Sequence, residues 1–195
     1  RRLPEVGLSF LLFLFILATS VMSVADEMSP SDKMFQSVKK AAEDGSPDTS
    51  VETELGLMHF YGVGRPVDYQ KARQHFKRDS KSMTARYLLG IIYRDGLGVS
   101  RNPAKAEHWL ESAAKSCWPT APLELGVMLA RQGADSLEKQ AKAFRWLLIH
   151  DAVGSHDPRR FFWNFRATLS PQSVVQAEKE AKEFLLDRRR SGCTS

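Results

Sequence analysis

The sequence predicts an all-α chain of stacked helix–turn–helix units, and three observations carry that reading. Leu55-Gly56, Gly62-x-Gly64 and Lys71-Ala72 return 34 residues later as Leu89-Gly90, Gly96-x-Gly98 and Lys105-Ala106, in one register throughout. A third copy opens 36 residues further on at Leu125-Gly126 and resumes at Lys142-Ala143. Between the turn clusters, apolar residues recur at helical spacing. Self-similarity at this period signals supersecondary units that bury their faces against neighbours, and not one closed core.

The first residues read as an export segment. Arg1 and Arg2 supply positive charge, Leu8 to Val21 is almost wholly apolar, and Ser23-Val24-Ala25 is a small-x-small pattern before Asp26. That is the layout of a cleavable signal peptide, with cleavage expected after Ala25 and a periplasmic or secreted destination. An uncleaved membrane tether is the alternative, although the apolar run is shorter than the ~20 residues a spanning helix prefers. Membrane contact is otherwise not expected. Loss of residues 1–25 removes two Arg and one Glu, taking the formal charge from +5 to +4.

Asp26 to Pro30 reads as a linker. Ser31 or Asp32 can cap a first helix to about Asp44, with Met34, Phe35, Val38 and Ala41-Ala42 on its apolar side. Gly45-Ser46-Pro47-Asp48 stops it. A helix from about Ser50 to Tyr61 follows, then a turn. Asp68 caps a helix to about Arg78. The second unit repeats the plan: a helix Thr84–Arg94, the turn Asp95-Gly96-Leu97-Gly98, and a helix Pro103–Ser116 capped by Asn102, with Pro at the first helical position. The third has helices from about Thr120 to Arg131 and Leu137 to Ile149, joined by a turn without the double glycine. A shorter helix near Pro158–Ala167 precedes a last one, Pro171–Asp187, capped by Ser170. The expected organisation is 1–25 signal, 26–48 linker and capping helix, 49–84, 85–120 and 121–157 repeats, 158–188 partial repeat and capping helix, and 189–195 tail.

Gly56, Gly90 and Gly126 fall inside helices, where Gly costs about 1 kcal/mol against Ala. Their recurrence predicts close approach of a partner helix, with Ala72, Ala106 and Ala143 as the matching small residues. Trp109, Trp146 and Phe76 or His75 are expected to fill the gaps between hairpins. The turn glycines permit positive φ in a tight connection.

These residues resemble the Sel-one-like repeat (SLR) family, relatives of the tetratricopeptide repeat. The second unit matches the pattern at Ala85, Leu89, Gly90, Tyr93, Gly96, Gly98, Val99, Lys105, Ala106, Trp109, Ala113 and Ala114. The first matches at Leu55, Gly56, Gly62, Gly64, Asp68, Lys71 and Ala72 but has His59 where the pattern has Tyr. The third keeps Ala121, Leu125, Gly126, Lys142, Ala143 and Trp146. Leu169-Ser170-Pro171-Gln172 and the helix after it resemble a closing segment. The likeness covers roughly Lys39 to Leu186. It implies a right-handed α/α superhelical solenoid acting as an adaptor for protein–protein contacts, without catalysis. Exported bacterial members resemble regulators and assembly factors of envelope systems. Members that bind penicillin-like ligands carry a Cys pair in every repeat, a framework this chain lacks.

The residues that carry the resemblance are structural, so a docking face must come from others. In a helix-hairpin solenoid, first helices line the inner curve. Residues off their packing stripe are Thr53, Phe60 and Tyr61, then Tyr87, Ile91 and Arg94, then Val127 and Arg131. The candidate partner-binding set is Thr53, Phe60, Tyr61, Tyr87, Arg94 and Arg131, residue types dominated by aromatics and Arg that anchor interfaces. The competing reading is that Phe60, Tyr61, Tyr87 and Ile91 simply pack on neighbouring helices. The expected partner is a protein segment with some acidic character. No nucleic-acid partner is expected, since no basic stripe interleaves with aromatics.

Chemistry finds little support. Ser37-x-x-Lys40, Ser112-x-x-Lys115 and Ser136-x-x-Lys139 resemble the opening motif of penicillin-recognising enzymes, but no Lys-Thr-Gly or Ser-Asp-Asn companion is present. A cell-wall- or β-lactam-active enzyme is therefore the alternative and not the main reading. His150-Asp151 and His156-Asp157 suggest a metal clip, yet a zinc site wants three or four converging ligands, so they read as a polar inter-helix loop. No metal or cofactor is expected. Pairing Cys117 with Cys193 is one reading in an exported protein. The favoured reading is two separate thiols, because nothing in the tail requires it to fold back.

Overall fold

The structure is a computed structural model that describes residues 29–43, 50–133, 136–153 and 166–193. The apolar segment with Ala25, the helix expected near Pro158–Ala167 and the His156-Asp157 pair fall wholly or mostly outside the described residues. Eight helices and no strand occur among the described residues: α1 Pro30–Glu43, α2 Ser50–Tyr61, α3 Tyr69–Arg78, α4 Met83–Asp95, α5 Pro103–Lys115, α6 Ala121–Gln132, α7 Leu137–Ala152 and α8 Pro171–Arg190. No helix among them is long and apolar enough to cross a membrane.

Hairpins α2–α3, α4–α5 and α6–α7 pack most closely, and each packs on its neighbour in the chain, with α1 on α2 and α8 on α7. This is an all-α repeat solenoid. Its core is one chain of buried residues running from Ala72 and Phe76 through Leu89, Ile92, Leu110, Leu125 and Ile149 to Ala181. Smaller clusters close the two ends: Phe35 and Val38 against Leu55 and Met58, and Phe144 against Leu169, Val174 and Ala177. Each large side chain so buried contributes about 1.5–3 kcal/mol.

Helix ends follow local chemistry. Asp68 and Asn102 side chains accept the backbone N–H of Lys71 and Lys105 at 3.0 and 2.9 Å. Ser82, Ser136 and Ser170 cap α4, α7 and α8 in the same way. α1 starts earlier than expected. The Ser29 hydroxyl accepts the Asp32 N–H at 3.1 Å, and Pro30 takes the first helical position, where its missing N–H costs nothing.

Ala143 approaches Gly126 through its carbonyl oxygen, 3.3 Å from where a Cβ would lie, but the nearest neighbour of each helix glycine is a larger side chain. A Cβ on Gly90 would lie 2.5 Å from Leu110 Cγ, and one on Gly126 would lie 2.7 Å from Leu147 Cγ; Gly56 takes the Phe76 ring in the same way. The partner is therefore the large residue four positions after each alanine. The glycine is a socket for a bulky knob, while Ala72, Ala106 and Ala143 are fully buried beside it. Trp146 is buried with its ring edge-on to Phe184 of α8, and Trp109 is partly buried against the core. In the first double-glycine turn, Gly64 has φ +70°, and a Cβ there would lie 2.5 Å from the Ser31 carbonyl oxygen, so the turn seats directly on the start of α1. Gly98 (φ +62°) sits in the same way on Tyr69 and Gln70 at the start of α3. Thus α1 occupies the place that α3 holds in the next unit.

Two expectations are corrected here. α7 runs to Ala152, so His150 lies in its last turn and not in a loop. Four residues after Trp146, it shares the core-facing side and is buried. The cysteines are not separate thiols: Cys117 and Cys193 form a disulfide with Cα atoms 5.5 Å apart. The tail has a reason to return, because α8 extends to Arg190 and crosses the end of α5. There the Arg188 guanidinium donates to the Ala114 and Cys117 carbonyls at 3.2 and 3.3 Å. A cation on the terminal carbonyls of a helix is favourable, and it delivers Cys193 to Cys117.

Candidate functional site

The outward residues of the first helices fall into three groups. The first is structural. Thr53 Oγ1 donates to a carboxylate oxygen of buried Asp79, tying the start of α2 to the end of α3. Phe60 is partly buried, with its ring edge-on to Tyr61 and Tyr69 and tilted against Phe76. Ile91 also packs against the core. The competing reading, packing on neighbours, describes Phe60 and Ile91 and also Tyr87, which packs against the core.

The second group is aromatic. Tyr61 is 64% exposed. Tyr87 stacks on Trp118, with ring centroids 4.8 Å apart and planes at 21°. The Tyr87 hydroxyl bonds Thr120, and burial raises its pKa. Trp118 Nε1 donates to the same Thr120 hydroxyl at 3.0 Å. The third group is charged. Arg94 Nε and Nη2 donate to both oxygens of Asp95 at 2.8 Å, and Nη1 donates to Glu124. The hydrogen bond to Arg94 holds the Asp95 carboxyl below its usual range, helped by the charges of Arg101 and Arg131. The same bond raises the Arg94 pKa further.

Arg94, Arg101, Arg131, Asp95 and Glu124 surround a groove of about 220 Å³ between α4 and α6, with Val127 and Met128 also lining it. The structure therefore brings Arg94 and Arg131 to one groove, and the charges of Glu124 and Arg94 reach Tyr87. Thr53 and Phe60 are spent on internal contacts. Sequence reasoning missed Trp118, Arg101 and Glu124. Glu124 and Trp118 meet Arg94 and Tyr87 from about 30 residues away, across a repeat boundary. A Trp within the short turn Cys117-Trp118-Pro119-Thr120 was the available signal.

A second polar cluster lies where the consensus Tyr is replaced. His59 is buried and stacks on His75, with centroids 5.4 Å apart and planes at 13°. Its Nε2 lies 3.3 Å from Arg65 Nη1, and Arg65 itself covers the Phe35 ring. His75 Nδ1 pairs with Glu52 at 2.8 Å. Burial, then Arg65 and His75, lower the His59 pKa to about 4.

The Ser-x-x-Lys strings are used within or at the ends of helices. Ser136 accepts the Lys139 N–H, Ser37 donates to the Met34 carbonyl, and Lys115 pairs with Glu111. His150 bonds the Pro119 carbonyl, and its pKa is lowered by burial. Among the described residues no group of three or more His, Cys, Asp or Glu could hold a metal.

A stack of helical hairpins with a polar–aromatic face defines a class: an α-helical repeat protein. The Sel1 repeat profile matches residues 51–78, 84–116 and 123–149. The chain belongs to the Sel1-like repeat family, whose members generally mediate protein–protein contacts and are typically non-catalytic scaffolds. It is 28% identical over 134 residues to the alginate biosynthesis protein AlgK of Pseudomonas syringae pv. tomato, covering 68% of this chain and 27% of that protein. It is 33% identical over 85 residues to the Sel1-repeat-containing protein YjcO of Escherichia coli K12, covering 40% of this chain and 37% of YjcO. The chain thus spans little more than a third, at most, of these relatives. Two crystal structures share the fold at 18% identity and a TM-score of 0.50. One is a protective antigen of uropathogenic Escherichia coli displaying an SLR fold, covering 83% of this chain and 34% of that one; the other is a Sel1 repeat protein from Oxalobacter formigenes, covering 78% and 66%.

Proposed function

We propose that this protein is an exported adaptor that docks a protein partner on the face running from Tyr61 through Tyr87 and Trp118 to Arg131, in envelope assembly or signalling. One observation carries the reading. The residues that repeat are consumed by packing, yet Tyr61, a large aromatic, stays 64% exposed, and the chain also carries a stacked Tyr87–Trp118 pair and a groove lined by three arginines. Aromatics and Arg are the side chains that anchor interfaces, and a preformed surface loses little ordering entropy on binding. Export is supported by the apolar Leu8–Val21 run and by the Cys117–Cys193 disulfide, a bond that persists mainly in oxidising compartments. A role in envelope assembly is in keeping with a relative named for alginate biosynthesis.

The test is position-resolved. A photoreactive residue at Tyr61 should cross-link a discrete partner in intact cells, and one at Lys182 on α8 should not. Tyr61→Ala with Tyr87→Ala should abolish the adduct formed from a probe at Val127. Equal adducts from Tyr61 and Lys182, or an adduct indifferent to the double substitution, would defeat the docking-face reading. Alkylation of cysteines in the intact cell reports compartment: a fully reactive thiol pair would defeat export.

A further inference from the structure

The groove between α4 and α6 carries three guanidinium groups against two carboxylates, and the two kinds are not evenly matched. Arg94 alone satisfies Asp95 with two hydrogen bonds and reaches Glu124 with its remaining terminal nitrogen. Both acids are therefore partnered from one side. Arg101 and Arg131 stand exposed on the rim. No hydrogen bond or ion pair engages either of them among the described residues, and they influence Asp95 only through space. Each guanidinium presents a planar fork of N–H donors matched to a carboxylate. Val127 and Met128 give the groove an apolar lining beside them.

We infer that Arg101 and Arg131 form the seat for an acidic side chain of the partner segment, with Val127 and Met128 receiving an adjacent apolar residue. This rests on the docking reading above and narrows it: of the two arginines singled out by sequence, Arg94 is an internal strut, and the partner's charge is read by Arg131 together with Arg101. At about 220 Å³ the groove is smaller than the roughly 300–1,000 Å³ of small-molecule sites, so it fits a side chain inserted from a surface. The Asp95–Arg94–Glu124 strut fixes the rim without drawing on the donors of the other two arginines. Val127 and Met128 add apolar area to the seat, which a purely anionic polymer would leave unused.

The probe is a short fluorescein-labelled peptide alternating Glu and Leu, with its Gln–Leu counterpart as control, read by anisotropy on the disulfide-bonded mature chain. Wild type should bind the Glu–Leu peptide and weaken with added salt. Arg101→Gln with Arg131→Gln should bind roughly tenfold or more weakly. Lys179→Glu with Lys182→Glu, a larger charge change placed on α8, should bind as wild type does. Thermal unfolding of each variant reports that the fold is kept. No binding by wild type, equal binding of the Gln–Leu peptide, or equal losses in both double variants would overturn the assignment. So would tighter binding of an oligo-uronate than of the peptide. The Tyr61 cross-link separates the two claims. If it forms and survives Arg101→Gln with Arg131→Gln, the docking face stands and the carboxylate seat falls. If it never forms in wild type, the docking face itself falls.

Discussion

Breaking the Cys117–Cys193 bond should loosen one end of the array and leave the other intact. The bond closes a loop over a sequence separation of 76 residues. In the chain-entropy account, a loop of that length stabilises the folded state by about 4.5 kcal/mol at 25 °C. The loop encloses α6, α7 and α8, and none of α1 to α4. In a repeat stack each unit contacts its neighbours, so stabilisation stays near where it is applied. Cys117→Ser with Cys193→Ser should therefore lower protection of α7 and α8 by up to about that amount in native-state hydrogen exchange, while α2 and α3 change by under about 1 kcal/mol. The double substitution avoids a leftover reactive thiol. Global denaturant curves should broaden or split, because the two halves no longer melt together. Uniform loss of protection from α2 to α8, or no loss anywhere, would refute the reasoning.

Two further outcomes follow from packing and charge. Gly90→Ala places a Cβ 2.5 Å from Leu110 Cγ, so overpacking of about 1–3 kcal/mol should outweigh the ~1 kcal/mol gained in helix propensity. Combined with Leu110→Ala, it should cost clearly less than the sum of the two single changes in urea unfolding; additive costs would deny the knob-in-socket contact. His59 is held neutral in the fold with its pKa lowered from 6.5 to about 4. The unfolded chain therefore binds the extra proton first as pH falls, and stability drops between about pH 6.5 and 4, by about 2–4 kcal/mol in total. His59→Tyr, which restores the residue type found at Tyr93, should flatten that acid limb in pH-dependent thermal unfolding; an unchanged limb would remove His59 as its cause.

Much of the architecture was legible because it rests on local rules. The caps Asp68, Asn102 and Ser170 bond N–H groups three residues away. The positive φ values of Gly62, Gly64, Gly96 and Gly98 answer to backbone sterics. His59 was visible as a departure from the repeat pattern, and its burial against Arg65 and His75 gives that departure a physical content. What was misread depended on partners far along the chain. The glycines were matched to the nearest small residues, although the space they leave is filled by Phe76, Leu110 and Leu147. Thr53, placed by repeat equivalence with Tyr87, was expected on the docking face, but its hydroxyl is turned to Asp79.

The sequence by itself determined the repeat, the caps at Asp68, Asn102 and Ser170 and most of the buried stripe, since periodicity and capping act over a few residues. Tertiary structure alone decided which outward residues are free. Arg94 and Arg131 both stand in the last turn of a first helix, yet one is locked between Asp95 and Glu124 while the other faces solvent. It also decided that the tail returns, because Arg188 meets the end of α5 only after α8 has crossed the stack. Both outcomes depend on contacts between residues 30 to 76 positions apart, which no local spacing encodes.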